Sequence, residues 1–268
     1  MHFDLLQSIS LAGDPAKPND DRAGCTESLA WVIDGATDLG PPGLMGEQGG
    51  AAWLASAASA AFSSRAAPLD QACTAVFADV EARYGAERRR APIADWELPS
   101  AALMALALEQ DALTFTSAAD CCALLRHGAA ARWLGEAPDR ARESADAAAV
   151  GTGAMHLPAV VQDRRVARAR ADRRVLGVDA AASAASMAHG RAPVRSGDEL
   201  LLMSDGFSAL IDAYGAHTPE SLFNALHLNG LAALASELRA VEAADAACAR
   251  FPRFKRSDDA TALWLRVG

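Results

Sequence analysis

The 268-residue sequence predicts an α+β fold, a largely antiparallel sheet system covered by helices. Three observations carry that expectation. Short apolar runs of strand length recur from Phe3 to Val267. Helix-period stretches fall in two blocks, one before the central strands and one after them. The resulting order of strand, helix pair, strands, helices and strand lacks the regular alternation of a doubly wound parallel sheet.

Taken along the chain, Phe3 to Ile9 mixes apolar and polar residues as a first strand. Ala12 to Cys25 is polar and carries Gly13, Pro15 and Pro18, which predicts a loop or turn. Leu29 to Ile33 is a short buried strand ending abruptly at Asp34-Gly35. Trp53, Leu54, Ala57, Ala58, Ala61 and Phe62 recur at helical spacing, as do Leu69, Cys73, Val76, Phe77, Val80 and Tyr84. Pro68 stands at the start of that second helix, where its missing N–H costs nothing. Three strands follow, over Ala102 to Leu108, Leu113 to Ala118 and Cys121 to Arg126.

From about Glu136 to Gly197 the periodicity breaks down into a stretch rich in Ala, Arg and Asp, read as an irregular insertion with one strand near Val160-Val161. Glu199 to Ser204 is again a buried strand, ending at Asp205-Gly206. Helical patterns cover Ser221 to Leu228 and Leu231 to Val241, and Ala260 to Val267 closes the chain as a strand directly after Asp258-Asp259. No repeat or linker invites a division, so residues 1–268 are read as one domain.

Composition narrows the function. A net charge of −9 with only two lysines, Lys17 and Lys255, argues against a nucleic-acid partner. Arg88-Arg89-Arg90 is read as a solvated helix end, too short for a polybasic anchor. Five cysteines without a repeating spacing suit a reducing compartment rather than a disulfide framework. The N-terminus lacks the pattern of a signal peptide, and the longest uncharged stretch, about Gln48 to Ser64, is too weakly apolar for a membrane span. The expectation is a soluble cytoplasmic protein without a membrane partner.

Four acidic sites share one placement at or beside a strand end: Asp20-Asp21, Asp34-Gly35, Asp205-Gly206 and Asp258-Asp259. Carboxylates that converge repel one another unless a cation sits among them. Oxygen donors of this kind select hard divalent cations such as Mg²⁺, Mn²⁺ or Ca²⁺. A single Asp-Gly after a strand is usually only a turn; four sites placed alike point to a metal centre. The six histidines offer no rival at ligand spacing. There is no Gly-x-Ser-x-Gly, and Gly151-Thr152-Gly153 lacks a P-loop ending.

These residues resemble those of the PPM (type 2C) protein phosphatases. Asn19-Asp20-Asp21-Arg22 is similar to the family's Asn-Glu/Gln-Asp-Arg, and Val32-Ile33-Asp34-Gly35 to its Val-x-Asp-Gly. Leu200-Leu201-Leu202-Met203-Ser204-Asp205-Gly206-Phe207 is similar to Leu-x-Leu-x-Ser-Asp-Gly-Phe/Leu, and Asp258-Asp259-Ala260-Thr261 to the closing Asp-Asn/Asp-x-Thr/Ser. The four occur in the family's order and span nearly the whole chain.

The resemblance implies a four-layer α-β-β-α sandwich of two mostly antiparallel sheets. It also implies two divalent cations, Mg²⁺ or Mn²⁺, that activate a water for direct hydrolysis of phosphoserine or phosphothreonine on a protein substrate. Asp34 would bridge the metals, the Gly35 carbonyl would bind the second, and Asp205 and Asp258 would complete the first. Asp20 and Asp21 would act near the second metal, and Asp120 would contribute to a third.

The departures concern substrate handling. Ala36-Thr37 stand where animal members often have His-Gly-Gly, Pro99-Ser100-Ala101-Ala102 replaces a Ser-Gly-Ser-Thr run, and Ala119 replaces a glycine. The family's phosphate-binding arginine has no aligned counterpart. Lys17 is the nearest cation, one position out of register, with a plain surface lysine as its other reading. A haloacid-dehalogenase-like enzyme would need a nucleophilic aspartate where Val32 stands. A catalytically weak regulatory module of the same fold, binding a phosphorylated partner, is the non-enzymatic alternative.

Overall fold

The computed structural model describes residues 1–110, 112–151, 157–170 and 172–268, without the side chain of Arg142. Thr152 to His156 and Ala171, inside the 136–197 stretch, therefore lie outside the described residues.

The strands among the described residues are β1 Phe3–Leu11, β2 Asp21–Cys25, β3 Leu29–Gly35, β4 Ala101–Glu109, β5 Ala112–Ala118, β6 Cys122–His127, β7 Ala130–Trp133, β8 Ala188–Pro193, β9 Glu199–Met203 and β10 Ala260–Val267. The helices among the described residues are α1 Gly49–Phe62, α2 Leu69–Glu87, α3 Ala141–Val150, α4 Pro158–Arg168, α5 Ala180–Ser186, α6 Asp205–Asp212 and α7 Pro219–Ala244. Among the described residues these strands form two five-stranded sheets, ordered β1-β10-β9-β6-β7 and β2-β3-β4-β5-β8, with every pair antiparallel.

Strand periodicity sorts the core into layers. On β3, Ala30 and Val32 face the second sheet, whereas Leu29, Trp31 and Ile33 face α1 and α2. On β9, Leu200 and Leu202 turn inward to meet them, and Leu201 and Met203 pack outward on α6 and α7. Each central strand is buried on both faces, so the sequence reads as an unbroken apolar run. The layers are helices, sheet, sheet, helices, as the resemblance implies.

Several local expectations need correction. The loop expected over Ala12 to Cys25 ends in a strand, because Asp21 to Cys25 pair with Asp34 to Ala30 at the sheet edge. The strand expected at Val160-Val161 is the first turn of α4, opened by Pro158. Asp205 is the first residue of α6 rather than a simple strand tip. The two helical patterns after residue 219 form one element kinked at Gly230, whose φ is +76°. Arg90 is no free helix end: its Nη1 donates to Glu97 Oε2 at 2.9 Å, and Glu97 is buried.

Among the described residues no helix is long and apolar enough to cross a membrane.

Candidate functional site

The site forms where strand ends from both sheets meet. Register sets Asp21 opposite Asp34 at the ends of β2 and β3. Gly35 sits so close to the Ala51 carbonyl that an added Cβ would lie 2.6 Å from it, so only glycine fits. From the other sheet, β9 delivers Ser204 and Asp205 beside the start of β10. A Cβ on Gly206 would fall 1.9 Å from the Asp259 carbonyl oxygen, which explains the glycine that follows the aspartate.

Ser204 fastens the two sheets together. Its hydroxyl donates to Asp21 Oδ2 at 2.7 Å and accepts from the Thr261 amide at 2.9 Å. Its own amide donates to the Thr261 carbonyl at 3.0 Å. Asp259 has a bracing geometry: its two oxygens accept from the amides of Gly13 (2.8 Å) and Asp20 (2.7 Å), fixing the loop before β2. Asp120 stands on the β5–β6 turn after Ala119, whose φ of +58° is the left-handed conformation that glycine adopts freely.

Asp20, Asp34, Gly35, Asp120, Asp205 and Asp258 line one cavity of about 320 Å³. Asp21 lies beneath them, 1% exposed. Lys17 is not among them. It pairs with Asp14 at 3.7 Å on an adjoining groove and remains largely exposed.

Crowding of like charge dominates the electrostatics. Burial, and then Asp21, Asp205, Asp120 and Asp258, push the Asp34 carboxyl well above the usual carboxylate range. Burial raises Asp21 to about 7 against the opposing Ser204 and Thr261 hydroxyls, with Asp205 and Asp259 adding to the rise. Asp120 rises to about 7, by burial and then Asp205, and Asp20 to about 6, by burial and then Asp259 and Asp38. Asp120 and Asp258 keep part of their surface on cleft solvent, yet the surrounding walls still desolvate their carboxylates.

Two internal cations offset this charge. Lys255 Nζ lies 2.7 Å from Asp258 Oδ1. Arg140 Nη2 is 3.5 Å from Asp205 Oδ2 and also donates to the Asp205 carbonyl, while its Nε is 3.3 Å from Asp212 Oδ1.

Sequence reasoning missed Arg140, Arg164, Arg168 and Arg173, all of which line the cavity and all of which come from the stretch read as irregular. The available signal was the arginine-rich composition of that stretch, together with the four-residue spacing of Arg164 and Arg168.

The donor set fits hard cations in its chemistry. It is all oxygen, and the buried Asp21 Oδ1 and Asp205 Oδ1 have no hydrogen-bond partner. Among the described residues no three such side chains converge tightly enough to form a ready-made centre. Asp258 Oδ1 faces Lys255 and Asp205 Oδ2 faces Arg140, which leaves one oxygen of each free of these cations.

No family model matches the sequence, and no curated protein does. Solved structures do match. The Mycobacterium tuberculosis serine/threonine phosphatase PstP/Ppp aligns over 100% of this chain and 99% of its own, with a TM-score of 0.60 and 16% identity. The catalytic domain of PstP in complex with two manganese ions aligns over 99% and 98%, with a TM-score of 0.58 and 16% identity. PppA, a regulatory component of T6SS in Pseudomonas aeruginosa, aligns over 99% and 98%, with a TM-score of 0.56 and 16% identity. Along its whole length, the chain has the fold of the PPM serine/threonine phosphatases.

Proposed function

We propose that this cleft hydrolyses phosphate monoesters, with phosphoserine and phosphothreonine on proteins as its substrates and Mg²⁺ or Mn²⁺ as its cofactor. The observation that carries the reading is the gathering of Asp20, Asp34, Asp120, Asp205 and Asp258, from separate chain segments, around one cavity in a phosphatase fold. The manganese in the similar PstP structure supports the choice of metal by analogy of fold.

In this reading Asp34, the Gly35 carbonyl, Asp205 and Asp258 would hold the cations, with Asp20, Asp21 and Asp120 as further oxygen donors. When bound, the cations supply an activated water and neutralise charge on the phosphoryl oxygens. The chain's own contribution is placement. Ser204 locks Asp21 between the sheets, Gly206 lets Asp205 approach β10, and Asp259 fixes the loop that carries Asp20. Chain 1–268 acts as one catalytic domain, and Arg140, Glu143, Arg164, Arg168 and Arg173 from the 136–197 stretch line its cleft.

A second reading, a phosphoprotein-binding module of weak activity, is favoured by one observation: Lys255 and Arg140 already occupy Asp258 and Asp205. Phosphate release from an aryl phosphate, with Mn²⁺, with Mg²⁺ and with chelator, separates the two. The enzymatic reading expects turnover that chelation abolishes and that Asp34→Ala reduces at least a hundredfold, a loss of about 3 kcal/mol in transition-state stabilisation. Absence of metal-dependent turnover in folded protein selects the module.

A further inference from the structure

The cleft also carries a positive charge that the proposed hydrolysis does not use. Arg164 and Arg168 are four residues apart on α4 and share a face, and both line the cavity with Arg173. Arg165 points elsewhere and anchors the helix. Its guanidinium stacks 4.1 Å above the Trp96 ring, and its Nη2 donates to the Leu39 carbonyl at 2.8 Å.

The three cavity arginines are held in place without a direct ion pair among the described residues. Arg168 Nη2 donates to the Thr37 carbonyl at 2.6 Å, three residues from Asp34. Arg173 donates to the Arg168 carbonyl at 3.3 Å and to Ser100 Oγ at 3.1 Å. Arg164 lies over the Phe254 ring at 5.4 Å. Among the described residues no carboxylate forms an ion pair with any of the three, although the chain as a whole carries a net −9. Arg140, by contrast, is ion-paired to two aspartates.

The cost of this arrangement is visible in the groups themselves. Burial, then the neighbouring Arg173, pulls Arg168 down to about 10, with Arg164 adding to the effect and Asp38 opposing it. Burial also lowers Arg173 and Arg164, the latter against Glu143 and Asp258. All three stay cationic at neutral pH. Partly buried like charges without a directly paired counterion are unfavourable, and a bound anion would relieve them. Guanidinium forks held by backbone carbonyls are arranged to meet carboxylate or phosphate oxygens.

We propose that Arg164, Arg168 and Arg173 form a second anion subsite beside the aspartate cluster, which takes an acidic side chain or a second phosphate of the same substrate. The proposal rests on the phosphate-monoester reading of the cleft. It goes beyond that reading by naming the substrate class: phosphopeptides with a further anion close to the phosphorylated residue.

Three phosphoserine peptides test it by fluorescence anisotropy, a binding measurement that needs no turnover. One has neutral flanks, one has aspartate and glutamate flanks, and one has a neighbouring second phosphoserine. Wild-type protein is expected to bind one or both anionic peptides roughly tenfold more tightly than the neutral one, the size of one good charge-assisted contact. Whichever peptide shows the preference identifies the anion. In Arg168→Gln/Arg173→Gln that ratio is expected to fall to near one. Arg164→Gln, which removes no hydrogen bond among the described residues, should lower it partway and serves as the test if the double variant misfolds. A wild-type ratio of one overturns the subsite, as does a ratio unchanged in both variants or an equal loss on the neutral peptide. Peptide preference without metal-dependent turnover would instead sink the phosphatase reading and leave the subsite standing.

Discussion

Lys255 Nζ sits 2.7 Å from Asp258 Oδ1, so a cation taken by Asp258 must displace or share an ammonium group already in place. Burial works against the charge on Lys255, but Asp258, then Asp205 and Asp34, more than offset it and hold the ammonium protonated. Lys255→Met removes the competitor. Calorimetric Mn²⁺ affinity is expected to tighten by about three- to tenfold, on the order of 1 kcal/mol. Weaker binding in the variant would mean that Lys255 supports the site.

The two adjacent aspartates of the closing motif should separate activity from stability. Both line the cavity, but the two oxygens of Asp259 are taken by backbone amides, whereas Asp258 faces Lys255. Asp258→Asn is expected to cost far more turnover than Asp259→Asn. Asp259→Asn leaves one of those amides facing an NH₂ group and should destabilise the fold by about 1–3 kcal/mol. Denaturant unfolding and steady-state rates, measured on both variants, check the pair. The reverse order would mean that Asp259 is the functional residue.

Asp21 gives a pH test whose sign is fixed. Its folded-state carboxyl is raised to about 7, by burial first, from an ordinary value of 3.8. The folded protein therefore binds the proton more tightly than the unfolded chain does, and stability falls as pH rises between those values. Asp21→Asn removes the charge. In the presence of chelator, its Tm relative to wild type is expected to rise steadily from about pH 4 to about pH 7. A flat difference would show that Asp21 carries no such penalty.

Ala119, in the left-handed conformation at φ +58°, stands where the resemblance has glycine. Ala119→Gly is expected to relieve strain of about 1 kcal/mol and to raise Tm by a few degrees. A fall in Tm would mean that unfolded-state entropy outweighs the strain.

How much of this was legible in the sequence follows from where the information lies. Leu29 to Gly35 and Glu199 to Asp205 announce themselves, because strands buried on both faces must be apolar throughout and their ends are marked by polar residues. The four acidic motifs, in order, pointed to the fold and to four aspartates of the cavity, Asp20, Asp34, Asp205 and Asp258, and Asp120 was added by the resemblance alone. α4 gave no such signal, because none of its residues is buried and it carries no long apolar run. β7 is equally exposed and escaped notice for the same reason. Leu176, whose backbone pairs with Ala101 and whose side chain is buried, shows that the 136–197 stretch is partly core, so replacing it wholesale would disturb the scaffold.

The sequence by itself determined which residues can carry charge at strand ends, since burial and alternation are local patterns. The tertiary structure alone decided which charges meet. Lys255 opposite Asp258, Arg140 against Asp205, and the arginine wall built from α4 and Arg173 depend on chain packing across separations that no local period encodes.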